Sequence, residues 1–287
     1  MMASSLEEFL ARPVFFTLPG MDEVEVRKDL VYRGTGDAGL RADVYLPQGL
    51  DPTERRPAVI FVHGDASPEL LKDAKEWGSF VSWGKLAAAS GLVGVTFNHA
   101  SSEQGTRLHE AAGDVDALVE FVQVKSSALH VNPDRVGLSV FSMGPPVGLR
   151  TVLRERPEFL RCIVSYYGAM DLQPLRAETV ADVSDEILRE FSPLHQLKSG
   201  TGRIPPMLIA RAGLEERPWL NPTIDEFVAE AMARGVEIDL LNHPGGRHAF
   251  DILDDDERTR DIIARTLQFL RKHLLGTQWS GSRIDWP

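Results

Sequence analysis

The 287-residue sequence predicts an α/β fold built on a mostly parallel sheet of eight strands, with helices on both faces and an antiparallel hairpin at its start. Three observations predict it. Short apolar runs alternate with helix-length stretches along most of the chain, the run from Ala58 to Val62 is apolar at every position, and the first two runs are joined by a turn short enough for a hairpin.

Val24 to Tyr32 and Leu40 to Leu46 are β-rich and flank Gly34-Thr35-Gly36-Asp37-Ala38-Gly39, a turn-forming cluster. Ala58-Val59-Ile60-Phe61-Val62 is apolar without interruption, as a strand covered on both faces requires. A helix from Trp77 to Ser90, a strand from Leu92 to Phe97 and a helix from Leu108 to Leu129 follow. Next come a strand from Val136 to Phe141, a helix from Pro145 to Arg154 and a strand from Cys162 to Tyr166. Strand Met207 to Ala210, helix Thr223 to Arg234, strand Glu237 to Leu241 and a last helix from Asp256 to Leu275 complete the series. Between Leu172 and Arg203 the rhythm lapses, because Asp185 to Phe191 is helical in pattern with no strand beside it. This stretch is either a small lid insertion at about 172–203 or an ordinary crossover helix. With no Gly/Ser/Pro-rich linker, charge block or repeat, residues 1–287 read as a single domain.

The net charge of −11 and the scattering of Lys and Arg along the chain disfavour a nucleic-acid partner. Glu7 and Glu8 stand where a signal peptide carries basic residues, and no apolar run reaches the roughly 18 residues of a membrane span. A cytoplasmic protein without a membrane partner is expected. Cys162, the single cysteine, lies in an apolar run and reads as a buried strand residue. There is no H-E-x-x-H pair and no phosphate loop, so neither a metal nor a cofactor is expected. The acidic run Asp254-Asp255-Asp256-Glu257 suits a helix N-terminus. The tail from Gly276 to Pro287, with Trp279 and Trp286, is expected to pack on the domain or on a neighbouring subunit, which keeps a homodimer in view.

Cleaving an ester with a serine needs an exposed hydroxyl, a base, an acid to orient the base, and donors for the oxyanion. Ser142, in Val140-Phe141-Ser142-Met143-Gly144, stands between a predicted strand and a predicted helix, the setting of a nucleophile elbow. Val140 occupies the position where the G-x-S-x-G pattern has glycine, which puts strain or a slightly opened turn into the expectation. His248, in a Gly-rich stretch before the last helix, is the expected base, with His243 in reserve and better suited to a structural role. Glu215, just past the seventh strand, is the favoured acid, and Glu216 and Asp171 remain alternatives. The backbone N–H groups of Met143 and of Asp65, or else Ala66, are the expected oxyanion donors, while His63 is expected to tie its loop together.

Phe61-Val62-His63-Gly64, Asp134 to Leu138 leading into Phe141-Ser142-Met143-Gly144, and Gly246-Arg247-His248-Ala249-Phe250 together resemble the α/β-hydrolase superfamily, and within it the dienelactone-hydrolase-like and acetyl-esterase-like members. The resemblance runs from about Leu30 to Leu275. It implies an α/β-hydrolase fold and a carboxylesterase-like serine hydrolase acting on a small-molecule ester, with Ser142 as nucleophile, Glu215 as acid and His248 as base. Val140, Pro145-Pro146 and Glu215 in place of the commoner Asp depart from the family pattern, although prolines are tolerated in a first helical turn. A short to medium acyl group is expected because no long apolar lid segment is present. A peptidase or amidase on the same fold, and a non-catalytic binding protein, are the rival readings.

Overall fold

The computed structural model describes residues 2–177, 183–200 and 202–276. Trp279 and Trp286 lie outside the described residues, as do 178–182 and 201 of the stretch between Leu172 and Arg203. The described strands are β1 (Glu25–Arg33), β2 (Leu40–Leu46), β3 (Arg56–Val62), β4 (Val93–Phe97), β5 (Val131–Phe141), β6 (Leu160–Tyr166), β7 (Met207–Leu214) and β8 (Ile238–Arg247). The helices are α1 (Met2–Leu10), α2 (Pro68–Leu71), α3 (Gly78–Ala89), α4 (Leu108–Val124), α5 (Gly144–Gly148), α6 (Arg150–Glu155), α7 (Asp185–Glu190), α8 (Pro193–Ser199), α9 (Leu220–Ala233), α10 (Phe250–Leu253) and α11 (Glu257–Leu275).

One sheet runs in the order β1-β2-β4-β3-β5-β6-β7-β8. The pairs β1·β2 and β2·β4 are antiparallel and the rest are parallel. From β3 the chain goes to one side for β4 and crosses to the other for β5, so the order reverses between β3 and β5. Loops leaving neighbouring strands diverge at such a point and open a crevice at the strands' C-terminal ends.

The continuously apolar strands are covered on both faces, as their sequences require. Ala58, Ile60 and Val62 of β3 pack with α4, α6 and α9, while Val59 and Phe61 point into the opposite layer with Trp83 of α3 and Ile263 of α11. Each fully buried Val or Ile contributes roughly 1.5–3 kcal/mol by leaving water. Cys162 is wholly buried in the α3/α11 layer, where burial pushes its thiol far above the ordinary range.

Several boundaries differ from those expected, among them the start of β5 at Val131 rather than Val136 and the end of β7 at Leu214 rather than Ala210. Helix α4 stops at Val124 rather than Leu129, because the chain turns at Lys125-Ser126-Ser127 and His130 takes a φ of 56°. Leu129 is still buried, so it keeps the apolar spacing from a turn. The helix expected from Pro145 to Arg154 is split into α5 and α6 at Leu149. Strand β8 continues to Arg247, through residues expected to form a loop. Helix α1 was not expected, and no helix among the described residues is long and apolar enough to cross a membrane.

Candidate active site

Ser142 directly follows the central strand β5 and takes a φ of 54°, the left-handed conformation of a sharp strand-to-helix turn. Two backbone bonds hold the turn. The Ser142 N–H donates to the Tyr166 carbonyl at 3.1 Å, and the Ala169 N–H donates to the Ser142 carbonyl at 2.8 Å.

Val140 does not open this turn. Its side chain is fully buried on the α4 side of the sheet, and a Cβ placed on Gly148 of α5 would lie 2.9 Å from Val140 Cγ1 and 3.3 Å from Val62 Cγ2. The bulk added at Val140 is therefore accommodated by a missing side chain on the facing helix. Gly148→Ala is expected to destabilise the fold by about 1–3 kcal/mol through overpacking. Adding Val140→Ala should recover most of that loss, which thermal unfolding of the single and double variants would measure as non-additivity.

Residues far apart in sequence converge on Ser142. Its hydroxyl donates to His248 Nε2 at 2.8 Å, and His248 Nδ1–H donates to Glu215 Oε2 in a short bond. Glu215 follows the end of β7 and its side chain is only 1% exposed. Its second oxygen, Oε1, accepts the Arg217 N–H at 3.1 Å and faces the Arg217 guanidinium at 3.3 Å. Burial works to raise the Glu215 carboxyl, but the His248 hydrogen bond and charge, with both donors of Arg217, outweigh it and hold the group below its ordinary range.

Neither of the other acids expected as alternatives bonds to His248. Asp171 Oδ1 accepts from Ser192 Oγ at 2.8 Å and from the Gln173 N–H at 3.0 Å, and Glu216 is exposed. His243 is buried with its Nε2 at 3.1 Å from Thr259 Oγ1, which suits the structural role expected of it. Asp256 of the acidic run caps α11 by accepting the Thr259 N–H at 2.8 Å.

The loop after β3 abuts the serine. A Cβ on Gly64 would lie 2.9 Å from Ser142 Cβ and 3.3 Å from Ser142 Oγ, so the loop passes close against the hydroxyl one residue before Asp65. The N–H groups of Asp65 and Met143 have no protein acceptor among the described residues. His63 ties this loop down: its Nδ1–H donates to the Gly64 carbonyl at 2.7 Å, its Nε2 accepts the His99 N–H at 3.3 Å, and the two imidazoles stack at 3.6 Å. Burial, and then the neighbouring His99, push His63 well below its ordinary pKa. A cavity of about 740 Å³ opens beside Asp65 and Met143, with Leu108, Leu172, Leu175 and Trp219 on its apolar side. That volume suits a small organic molecule.

Solved structures share this architecture. The native esterase 2 of the planctomycete Thermogutta terrifontis is 18% identical, aligns over 92% of this chain and 97% of its own, and superposes with a TM-score of 0.67. This is the α/β-hydrolase fold. The same esterase with butyrate bound superposes at 0.63, with 18% identity and coverage of 90% and 95%. A truncated carbohydrate esterase from gut microbiota superposes at 0.68, with 14% identity and coverage of 88% and 96%. No protein-family model and no curated protein matches the chain.

Within this fold, three residues near Ser142, His248 and Glu215 escape a reading of the sequence. Arg217 is one, although its place two residues after Glu215, where an N–H can return to the carboxylate, is a usable local signal. Tyr167 lies with its ring 4.6 Å from that of His248, and its hydroxyl donates to Asp251 at 2.6 Å. Asp251 is buried and also accepts Trp83 Nε1–H at 3.1 Å; burial pushes its carboxyl upward, against these two donors. The contacts of Tyr167 and Asp251 come from distant elements, so no spacing announces them.

Proposed function

We propose that this protein is a serine hydrolase that cleaves a carboxylic ester through an acyl-enzyme intermediate, with Ser142 as nucleophile, His248 as base and Glu215 as orienting acid. The observation that carries this reading is the continuous chain from Ser142 Oγ through both ring nitrogens of His248 to the buried Glu215. With the proton on Nδ1 held by Glu215, the lone pair of Nε2 faces the serine hydroxyl.

As Ser142 Oγ bonds to the substrate carbonyl carbon, its proton passes to His248 Nε2. The carbonyl oxygen becomes an oxyanion held by the N–H groups of Met143 and Asp65, which are oriented before the charge develops. Glu215 stays ionised beside the imidazolium, stabilised in that form by Arg217. His248 then returns the proton to the leaving alkoxide, and the alcohol departs. Water attacks the acyl group with His248 again taking a proton, and the carboxylic acid leaves as Ser142 recovers its own.

The apolar walls from Leu108, Leu172 and Leu175 favour an acyl group of short to medium length, in keeping with the butyrate bound to the Thermogutta esterase. Leu172 and Leu175 line the cavity from the start of the 172–203 stretch, in keeping with a small lid edge formed by these residues on a single domain. A fluorophosphonate probe tests the proposal. Wild-type protein should be labelled at Ser142 and Ser142→Ala should not; folded wild-type protein that stays unlabelled would sink the proposal and favour a binding protein.

A further inference from the structure

The segment after β4 makes a set of bonds that the proposed reaction leaves unexplained. Ser101 and Ser102 are both buried, and both direct donors to the carboxylate of Asp65. Oδ1 of Asp65 accepts from Ser101 Oγ at 3.0 Å and from the Ser102 N–H at 3.0 Å, and Oδ2 accepts a short bond from the Ser102 hydroxyl. Ser101 shares its hydroxyl proton with the Ala66 carbonyl at 2.7 Å and accepts the Glu103 N–H at 3.1 Å.

The next three residues turn through positive φ, with strain at the two that carry side chains. Glu103, Gln104 and Gly105 have φ values of 44°, 58° and 98°, the left-handed region that Glu and Gln adopt only when the surroundings impose it. This turn lines the 740 Å³ cavity together with Asp65 and Met143. The Asp65 carboxylate is thus the cross-link between the loop carrying an oxyanion donor and a strained wall of the cavity. A carboxylate suits the task because its two oxygens can take several donors at once.

We propose that the Asp65 side chain is a positioning group, which clamps the β3 loop to Ser101 and Ser102 so that the Asp65 N–H is aimed at the substrate carbonyl oxygen. This rests on the serine-hydrolase reading above. The backbone N–H supplies the hydrogen bond to the oxyanion, and the side chain of the same residue sets its direction. An oxyanion donor acts in the transition state more than in the bound substrate, so loss of aim lowers kcat and leaves KM nearly alone.

Asp65→Ala, Asp65→Asn and Ser102→Ala would be compared on p-nitrophenyl butyrate, with kcat expressed per site titrated by a fluorophosphonate and with thermal unfolding measured alongside. Asp65→Ala is expected to lower kcat per site by about 10- to 100-fold while KM moves by less than about threefold. Ser102→Ala, which removes one of the three bonds, is expected to lower it by roughly three- to tenfold. Asp65→Asn should recover most of the Asp65→Ala loss, because its amide oxygen can accept the two bonds made to Oδ1 while its NH2 donates to the Ser102 hydroxyl. Unchanged kcat per site in Asp65→Ala, or in Ser102→Ala if the alanine variant at 65 does not fold, would overturn the proposal. A lower melting temperature alone, or equal losses for Asn and Ala, would do the same. Wild-type protein that the probe does not label overturns the hydrolase reading and this one together, whereas labelled and active wild-type protein beside an unaffected Asp65→Ala overturns only this one.

Discussion

Glu215→Gln is expected to lower kcat for ester hydrolysis by about 10³- to 10⁴-fold, the scale seen when a triad acid loses its charge. The environment of Glu215 decides how the amide would sit. Oε1 already faces two donors, the Arg217 N–H and guanidinium, so the amide oxygen would turn to Arg217 and the NH2 to His248 Nδ1. A donor at Nδ1 selects the tautomer with its proton on Nε2, and that nitrogen could no longer accept from Ser142. Asp171→Asn should leave kcat within about twofold, since Asp171 is bonded to Ser192 and Gln173. Rates on a p-nitrophenyl ester at saturating substrate would check both, and the reverse pattern would move the acid to the loop after β6.

The second large effect is expected from a single methyl group. In Gly64→Ala the added Cβ would meet Ser142 Cβ at 2.9 Å and the Phe141 carbonyl oxygen at 3.3 Å, and neither is the free end of a flexible side chain. Either the elbow or the β3 loop has to move. Displacement of a reacting group by about 1 Å costs on the order of 100-fold in rate. The overpacking itself costs about 1–3 kcal/mol, which a folded domain of this size survives. Kcat should therefore collapse while thermal unfolding stays cooperative and its midpoint falls by about 2–12 °C, on the scale of 2–4 °C per kcal/mol. A variant with wild-type kcat would show that Gly64 does not set the approach of the β3 loop to Ser142.

Much of the sheet was legible because its signals are local. The continuous apolar run of β3 is explained by a strand buried on both faces, and the strand-to-helix setting of Ser142 by the short stretch around it. Boundaries were less legible where a tertiary contact extends or ends an element. Pairing with β7 carries β8 through Pro244-Gly245-Gly246 to Arg247, opposite Leu214, although that stretch has the composition of a loop. Burial of Leu129 continues the apolar spacing of α4 past the point where the helix stops.

By itself the sequence determined the α/β class, the hairpin start and the order of a serine, an acid and a histidine along the chain, because periodicity and residue order are properties of neighbouring residues. Only the tertiary structure decided which carboxylate meets His248, since Glu215, Glu216 and Asp171 each offer a carboxylate beyond a strand and only the packed fold brings one of them to the imidazole. It also decided that Val140 is compatible with the elbow, through Gly148 on the next helix. Bonds such as those from Ser101 and Ser102 to Asp65 join loops that leave different strands, and no local pattern encodes them. They exist because the sheet brings the C-terminal ends of β3, β4 and β5 side by side, so the geometry beside Ser142 is a property of packed strands rather than of any one segment.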